Sequence, residues 1–384
     1  MLTRQGIHDL LEGLAILGTG GGGSPQWGRR ILENDLERGR QPILVDPGDV
    51  PDGATVASGG FMGSVKILDR MDPVELVERW ERRFELTEAF KVMEATIGRG
   101  VDYVVAFEMG GLNTPVILSL GARTGIPVVD GDGLGRAAPE TQMVSFIGHG
   151  VSLTPMPLVD AQGNVVVVRH GVENTYADVL GRWVVSHGGG MGANAHYPMS
   201  GADLKRSVIP NTITKAEALG RDLRAARELG RDPVSVVVAH LQGQHIHTAA
   251  IQSIQEDEWQ GFYFTRVALE GGVDITIKNE TMALFVDGQP ATVFPDLICM
   301  LDPATGRGLM SVDLKVGDEV AIVAAACHPR LRQARASQAG RVAFSPARFG
   351  QPDLVYEEVE SLLAKLSRTP DSPRKPLAGV GEPR

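Results

Sequence analysis

The sequence predicts an α/β N-terminal domain built on a mainly parallel sheet, followed by a β-rich C-terminal domain. Three observations predict it. Strand-like apolar runs alternate with helix-like stretches up to IPVVD (126–130). The texture changes beyond residue 150. From Pro233 to about Ala325 the pattern becomes short strands separated by Gly, Asp and Asn turns, as in a sandwich or barrel-like core. A chain of 384 residues has room for two or three domains at roughly 150 residues each.

Taken in order, Ile7, Leu10, Leu11, Leu14 and Leu17 recur at helical spacing, so the chain opens on an amphipathic helix. The run GTGGGGSP (18–25) follows, then a helix from Gln26 to about Glu37. ILVD (43–46) and ATVAS (54–58) read as strands bounded by Pro, Gly and Asp turns. Residues 72–98 read as helical, with Pro73 suited to the first turn. VDYVVAF (101–107) and IPVVD (126–130) read as buried strands, with a helix from Pro115 to about Arg123 between them. Strand, helix, strand implies a right-handed crossover and parallel pairing. TPMPLVDAQGNVVVVRH (154–170) predicts a hairpin turning at Gly163-Asn164. Thr214 and Glu217 have capping-box spacing for a helix to about Glu228. A last helix is expected over 355–366. The boundaries that follow are 1–170 for the α/β domain, with a possible extension through a helix at 212–230. The second part spans 171–366, β-rich from about 233. The Pro-, Gly- and charge-rich stretch 367–384 predicts a disordered tail.

Composition narrows the function. The formal net charge is −10, from 47 acidic and 37 basic residues, which argues against a phosphate backbone as partner. Two cysteines, Cys299 and Cys327, are too few for a disulfide scaffold and suit a reducing cytoplasm. No signal-peptide pattern opens the chain, and no apolar stretch has the length of a membrane span. The expected partners are a small-molecule substrate and further copies of the chain as a homo-oligomer, with neither nucleic acid nor membrane.

Ligands of parallel sheets bind outside the carboxyl ends of the strands, where three segments carry candidate chemistry. Glu108 ends a buried strand, where lost solvation raises a carboxyl pKa toward values useful to a general base. Gly110 and Gly111 then allow close approach, and Asn113 can donate and accept hydrogen bonds at once. The bland alternative is a helix cap or an internal salt bridge. Asp130, Asp132, Arg136 and Glu140 fall in one loop. The two aspartates could share a proton or bind a cation, unless Asx hydrogen bonds merely hold the turn. Arg136 could neutralise one of them or clamp a substrate carboxylate. Gly20, Gly21, Gly22 and Gly23 follow a helix and precede no lysine, so they are no phosphate loop and no nucleotide is expected. Their amides could bind an oxyanion, or they could serve only a tight turn.

Asn279 and Glu280 end the strand VDITI and could reach an interdomain pocket. His245 and His247 would share a strand face and, with a third ligand, could hold a divalent metal such as zinc. Ordinary surface or packed histidines are the competing reading. His187 and His196 flank GGGMGANA, read as a flexible loop that could line the pocket. Cys327-His328 offers a thiol and a base, but neighbours on a strand point to opposite faces.

LGTGGGGSP (17–25), FEMGGLN (107–113), PVVDGDGLGRAAPE (127–140), KNE (278–280), FPDLI (294–298) and ARFG (347–350) together resemble the family once catalogued as domain of unknown function 917, now associated with S-methyl thiohydantoin desulfurase. Lys278 replaces the glutamine of the usual Gln-Asn-Glu triplet, and Gln351 a usual tyrosine. The resemblance implies an α/β domain followed by a β-rich one, and hydrolysis of a small cyclic ureide. The expected reaction is desulfurisation of a thiohydantoin or S-methyl thiohydantoin to a hydantoin. Glu108 would be the general base, and Asp130 or Asp132 would orient water, protonate the leaving group or hold a metal. Asn113 and the Gly20–Gly23 amides would stabilise the developing anion. The alternatives are a metal-dependent ring-opening amidohydrolase using His245 and His247, and a non-catalytic ureide-binding subunit or sensor.

Overall fold

The computed structural model describes residues 2–63, 72–259 and 262–367. The tail expected from residue 367 lies, Ser367 aside, outside them. The first sheet is assembled from β1 (Leu44–Val45), β2 (Thr55–Gly63), β3 (Tyr103–Ala106), β4 (Val128–Val129), β6 (Met156–Asp160), β7 (Val165–Val168) and β8 (Met191–Ser200). Their order across the sheet is β1-β4-β3-β2-β8-β6-β7. The first four are parallel and the last three alternate, so five of the seven strands point one way. This is the α/β domain with a mainly parallel sheet. The small ladder of β5 (Gly131–Asp132) with β9 (Ile209–Pro210) fastens the loop after β4.

The opening helix, Arg4–Leu17, buries Ile7, Leu10, Leu11, Leu14 and Leu17 as its periodicity demands. It packs on the helix Thr212–Glu228 at backbone distance. A Cβ on Gly220 would stand 1.8 Å from Asp9 O, and one on Gly13 would stand 2.0 Å from Ala216 O. The capping box expected at Thr214 is not what starts that second helix. It begins at Thr212, and its free N–H groups are met from a distance by Asp130. The helical stretch 72–98 is two helices, Pro73–Arg82 and Glu85–Ile97. The chain is extended at Phe84, whose ring packs on Trp80 and Phe61. GGGMGANA is largely strand rather than flexible loop. Its glycines and alanines suit β8, a central strand closely packed between β2 and β6.

The second sheet is antiparallel, ordered β14-β13-β12-β11-β10-β16-β15. Its members are β10 (Gln244–Trp259), β11 (Phe262–Leu269), β12 (Val273–Lys278), β13 (Glu280–Val286), β14 (Gln289–Val293), β15 (Leu297–Leu301) and β16 (Glu319–Ala325). Residues 233–241, read as the first of the strands, form the helix Pro233–Leu241. Pro233 occupies its first turn and Asp232 caps Val234 N at 3.0 Å. Val320, Ile322 and Ala324 point into the core of the curled sheet with Val359 and Leu363 of the last helix. Ala321, Val323 and Ala325 point the other way, into the core of the first domain. That double burial explains why β15 and β16 read as continuous apolar runs rather than as alternation, and it seats the two halves on one another.

Candidate functional site

A cleft of about 650 Å³, counting its open mouth, lies at the carboxyl ends of β2 and β3. The chain brings Glu108, Asn113, Asn279, Glu280, Gly22, Gly23 and Glu140 to its wall, from segments far apart in sequence. Each arrives for a local reason. Gly22 and Gly23 cross Gly110 and Gly111 backbone to backbone: a Cβ on Gly110 would lie 2.6 Å from Gly22 O, and one on Gly111 2.5 Å from Gly23 O. Leu112 N then donates to Gly22 O at 3.0 Å. Asn113 opens the helix Asn113–Thr124 and reaches β2, accepting from Phe61 N at 2.9 Å. Asn279 takes a left-handed φ of 57° between β12 and β13 and exchanges hydrogen bonds with Tyr263, which aims Glu280 inward.

Two buried carboxylates define the chemistry. Glu108 Oε1 accepts from Asn113 Nδ2 at 2.7 Å, and its Oε2 accepts from Ala138 N at 2.9 Å. Burial pushes its pKa up to about 7 against those two hydrogen bonds. Glu280 Oε1 accepts from Gly22 N at 2.9 Å, while its Oε2 has no partner among the described residues. Burial first, and then the charge of Glu108, push its pKa up to about 8. Both oxygens of Glu108 are satisfied as a carboxylate and one oxygen of Glu280 is not. When the pair carries a single proton, these surroundings favour Glu280 as its site. Two titrating groups whose surroundings differ are the raw material of paired acid and base work.

Several candidates serve elsewhere. Asp130 is a helix cap: Oδ1 accepts from Ile213 N and Thr214 N at 3.1 and 3.2 Å, and Thr214 Oγ1 donates to Oδ2. Asp132 Oδ2 holds its own turn, accepting from Leu134 N and Gly135 N at 2.8 and 2.7 Å. Burial pushes its pKa up to about 7, but neither aspartate lines the cleft. The turn-holding alternative describes Asp132, while Asp130 caps a helix instead. Arg136 is not a substrate clamp. Its fully buried guanidinium donates to Ala137 O, Asp296 O, Thr19 Oγ1 and Thr281 O. Gly20 packs on Met300, and Gly21 leaves room for the Glu280 side chain. Glu140 reaches the cleft but is bound to Lys278, Arg348 and Gln142.

His245 and His247 stand away from the cleft on β10, where a bulge interrupts the ladder between them. They bond Thr248 Oγ1 and Glu270 O, each at 2.8 Å. Among the described residues no group of three His, Cys, Asp or Glu is placed to hold a metal ion. Cys327 is buried outside the cleft, and burial drives its thiol pKa well above the usual range.

The sequence reading missed Arg182, Asn194, Thr141, Phe61 and Met62, all of which line the cleft. Arg182 lies 3.7 Å from the Phe262 ring centroid and pairs with Asp178 at 2.9 Å. Its only signal was the i,i+4 spacing to Asp178, which speaks for a helix and not for a site. Of the two histidines flanking GGGMGANA, a segment read as able to line the pocket, His196 is fully buried on the cleft wall and His187 is not part of it.

Comparison with known proteins agrees with this architecture. The family models described as "S-Me-THD-like, N-terminal domain" and "S-Me-THD-like, C-terminal domain" match residues 5–170 and 172–359. A crystal structure of a protein from Chromobacterium violaceum is similar with a TM-score of 0.74 and 22% identity, covering 93% of this chain and 99% of that one. At that identity the likeness speaks for the fold. No curated protein matches the chain. Among the described residues, no helix is long and apolar enough to cross a membrane.

Proposed function

We propose, from the premise that the chain belongs to the S-Me-THD-like family, that it is a hydrolase converting a thiohydantoin or S-methyl thiohydantoin to the hydantoin. The observation that carries the reading is the meeting of Glu108 and Glu280 in one cleft, one ready to accept a proton and the other to give one. With an S-methyl thiohydantoin, Glu108 takes a proton from water as the water oxygen bonds the ring carbon that bears sulfur. The C=N electron pair moves to the ring nitrogen, which receives the proton of Glu280. In the collapse, Glu280 takes the hydroxyl proton as C=O forms and the C–S bond breaks. The leaving thiolate takes the proton from Glu108. Water plus substrate become hydantoin plus methanethiol, and the carboxyl pair returns to its starting state. With a thioxo ring the C=S electron pair moves to sulfur as water adds, and sulfur receives the proton of Glu280. The same collapse releases hydrogen sulfide once the leaving hydrosulfide takes the proton from Glu108. The Gly22–Gly23 turn and Asn279 border the space where charge develops, and a well-placed donor there is worth about 3 kcal/mol.

The test incubates the purified protein with hydantoins, thiohydantoins and S-methyl thiohydantoins, following ring absorbance and released thiol. Turnover of the sulfur-bearing rings is expected. Glu108→Gln should lower kcat about 10²- to 10⁴-fold with its melting transition intact, and full activity in that variant would remove Glu108 from the mechanism.

A further inference from the structure

Part of the cleft wall is formed by β8. Asn194 and His196 lie two residues apart on it and so share one face. Gly60 is paired with Asn194, and Ser58 with His196. A Cβ on Gly60 would meet Asn113 Oδ1 at 2.8 Å, which identifies that face as the one turned to the cleft. The His196 ring is fixed edge-on to Phe107 and Tyr197, with centroids 5.5 and 5.2 Å away. It is fully buried, and neither ring nitrogen has a hydrogen-bond partner among the described residues. The Asn194 amide, also buried, makes no side-chain hydrogen bond among the described residues either, although Asn194 too lines the cleft.

Buried polar groups are nearly always paired, so an orphaned imidazole on a cleft wall marks a place a ligand completes. Burial holds the imidazole neutral, its pKa down to about 3, and a neutral imidazole offers one donor and one acceptor. The primary amide of Asn194 offers the same pair. We infer that Asn194 and His196 are the specificity-determining residues of the cleft, reading the N–H/C=O edge of a planar amide ring. The inference rests on the proposed hydrolase reading and names the part of the substrate that the β8 wall recognises. A neutral wall suits an uncharged ring edge, because an ion there would face buried groups that carry no compensating charge. Phe107, edge-on to His196, supplies the apolar flank a flat ring needs.

The experiment measures binding of hydantoin, 1-methylhydantoin and 3-methylhydantoin to the full-length protein by calorimetry, with turnover assayed in parallel. A methyl group on the edge that is read removes its donor, so one methylated ring should bind about 10- to 100-fold more weakly than hydantoin. In His196→Phe, which keeps the ring packing, hydantoin should weaken by a similar factor and the discrimination against the methylated ring should shrink. KM should rise more than kcat falls. Asn194→Leu should act in the same direction, and His196→Gln should recover part of the loss. Equal binding of all three rings by the unmodified protein overturns the inference without any variant, while sulfur-ring turnover that depends on Glu108 leaves the hydrolase reading standing. Discrimination unchanged in both β8 variants overturns it too. If the folded protein neither binds nor turns over any ureide, both fall together.

Discussion

At the scale of single residues, the behaviour of the cleft rests on the different satisfaction of two glutamates. Glu108 has both oxygens hydrogen-bonded and Glu280 has one, so the proposed mechanism starts from the singly protonated pair. Activity should follow a bell with limbs near 7 and 8, read as the pH dependence of kcat/KM, which reports the groups of the free enzyme. Glu280→Gln should abolish the alkaline limb along with most of the rate. Replacing the donor amide in Asn113→Asp sets a second acid against Glu108 and should move the acidic limb to higher pH. The same shifts bear on stability. Both folded pKa values lie above the unfolded carboxyl range, so the folded state binds more protons between about 4.5 and 8. The contribution of the pair is fully present below that window and is lost as pH rises through it. Denaturation midpoints of the unmodified protein should fall from pH 5 to pH 8.5 more than those of Glu108→Gln or Glu280→Gln.

Elements meet in this molecule by close approach and by borrowed caps. The helices Arg4–Leu17 and Thr212–Glu228 touch where Gly13 and Gly220 remove the side chains that would part them. Gly220→Ala places a Cβ against the Asp9 carbonyl and should cost about 1–3 kcal/mol, measured by chemical denaturation. Asp130 was a candidate catalyst by sequence because it ends β4 at the ligand-bearing edge of the sheet. In the folded chain its carboxylate belongs to a helix eighty residues downstream in round terms. Asp130→Ala should therefore cost about 1–2 kcal/mol of stability and leave kcat unchanged, the opposite of what a catalytic aspartate would show.

Across the whole molecule, the two halves are bound through the site itself. Gly22 N bonds Glu280, Thr19 O accepts from Thr281 N, and buried Arg136 joins Thr19, Thr281 and Asp296. Arg136→Ala would orphan several buried acceptors at once and should cost about 3 kcal/mol or more, with loss of activity as Glu280 shifts. The first sheet also crosses the boundary that the two family matches suggest. β8 lies beyond residue 172 yet is seated between β2 and β6. A fragment ending at residue 170 would leave both of those strands with open edges, and it should be protease-sensitive and without dispersed amide resonances.

The sequence alone determined the order of most elements, the division into α/β and β-rich parts, and three of the residues that meet at the cleft: Glu108, Asn113 and Glu280. These were legible because burial, periodicity and strand ends are local properties. The runs VDYVVAF and Ile7–Leu17 carry their environments in their spacing. Only the tertiary structure decided which of several acidic and glycine segments share a cleft. It sent Asp130, Asp132 and Arg136 into structural work, left His245 and His247 on a distant strand, and brought in Arg182, Asn194 and His196. The reason is physical: whether a polar side chain is spent on a neighbour or left open to a ligand depends on which backbone groups fold beside it. Those neighbours are chosen by strand order and domain packing, and spacing along the chain does not record them.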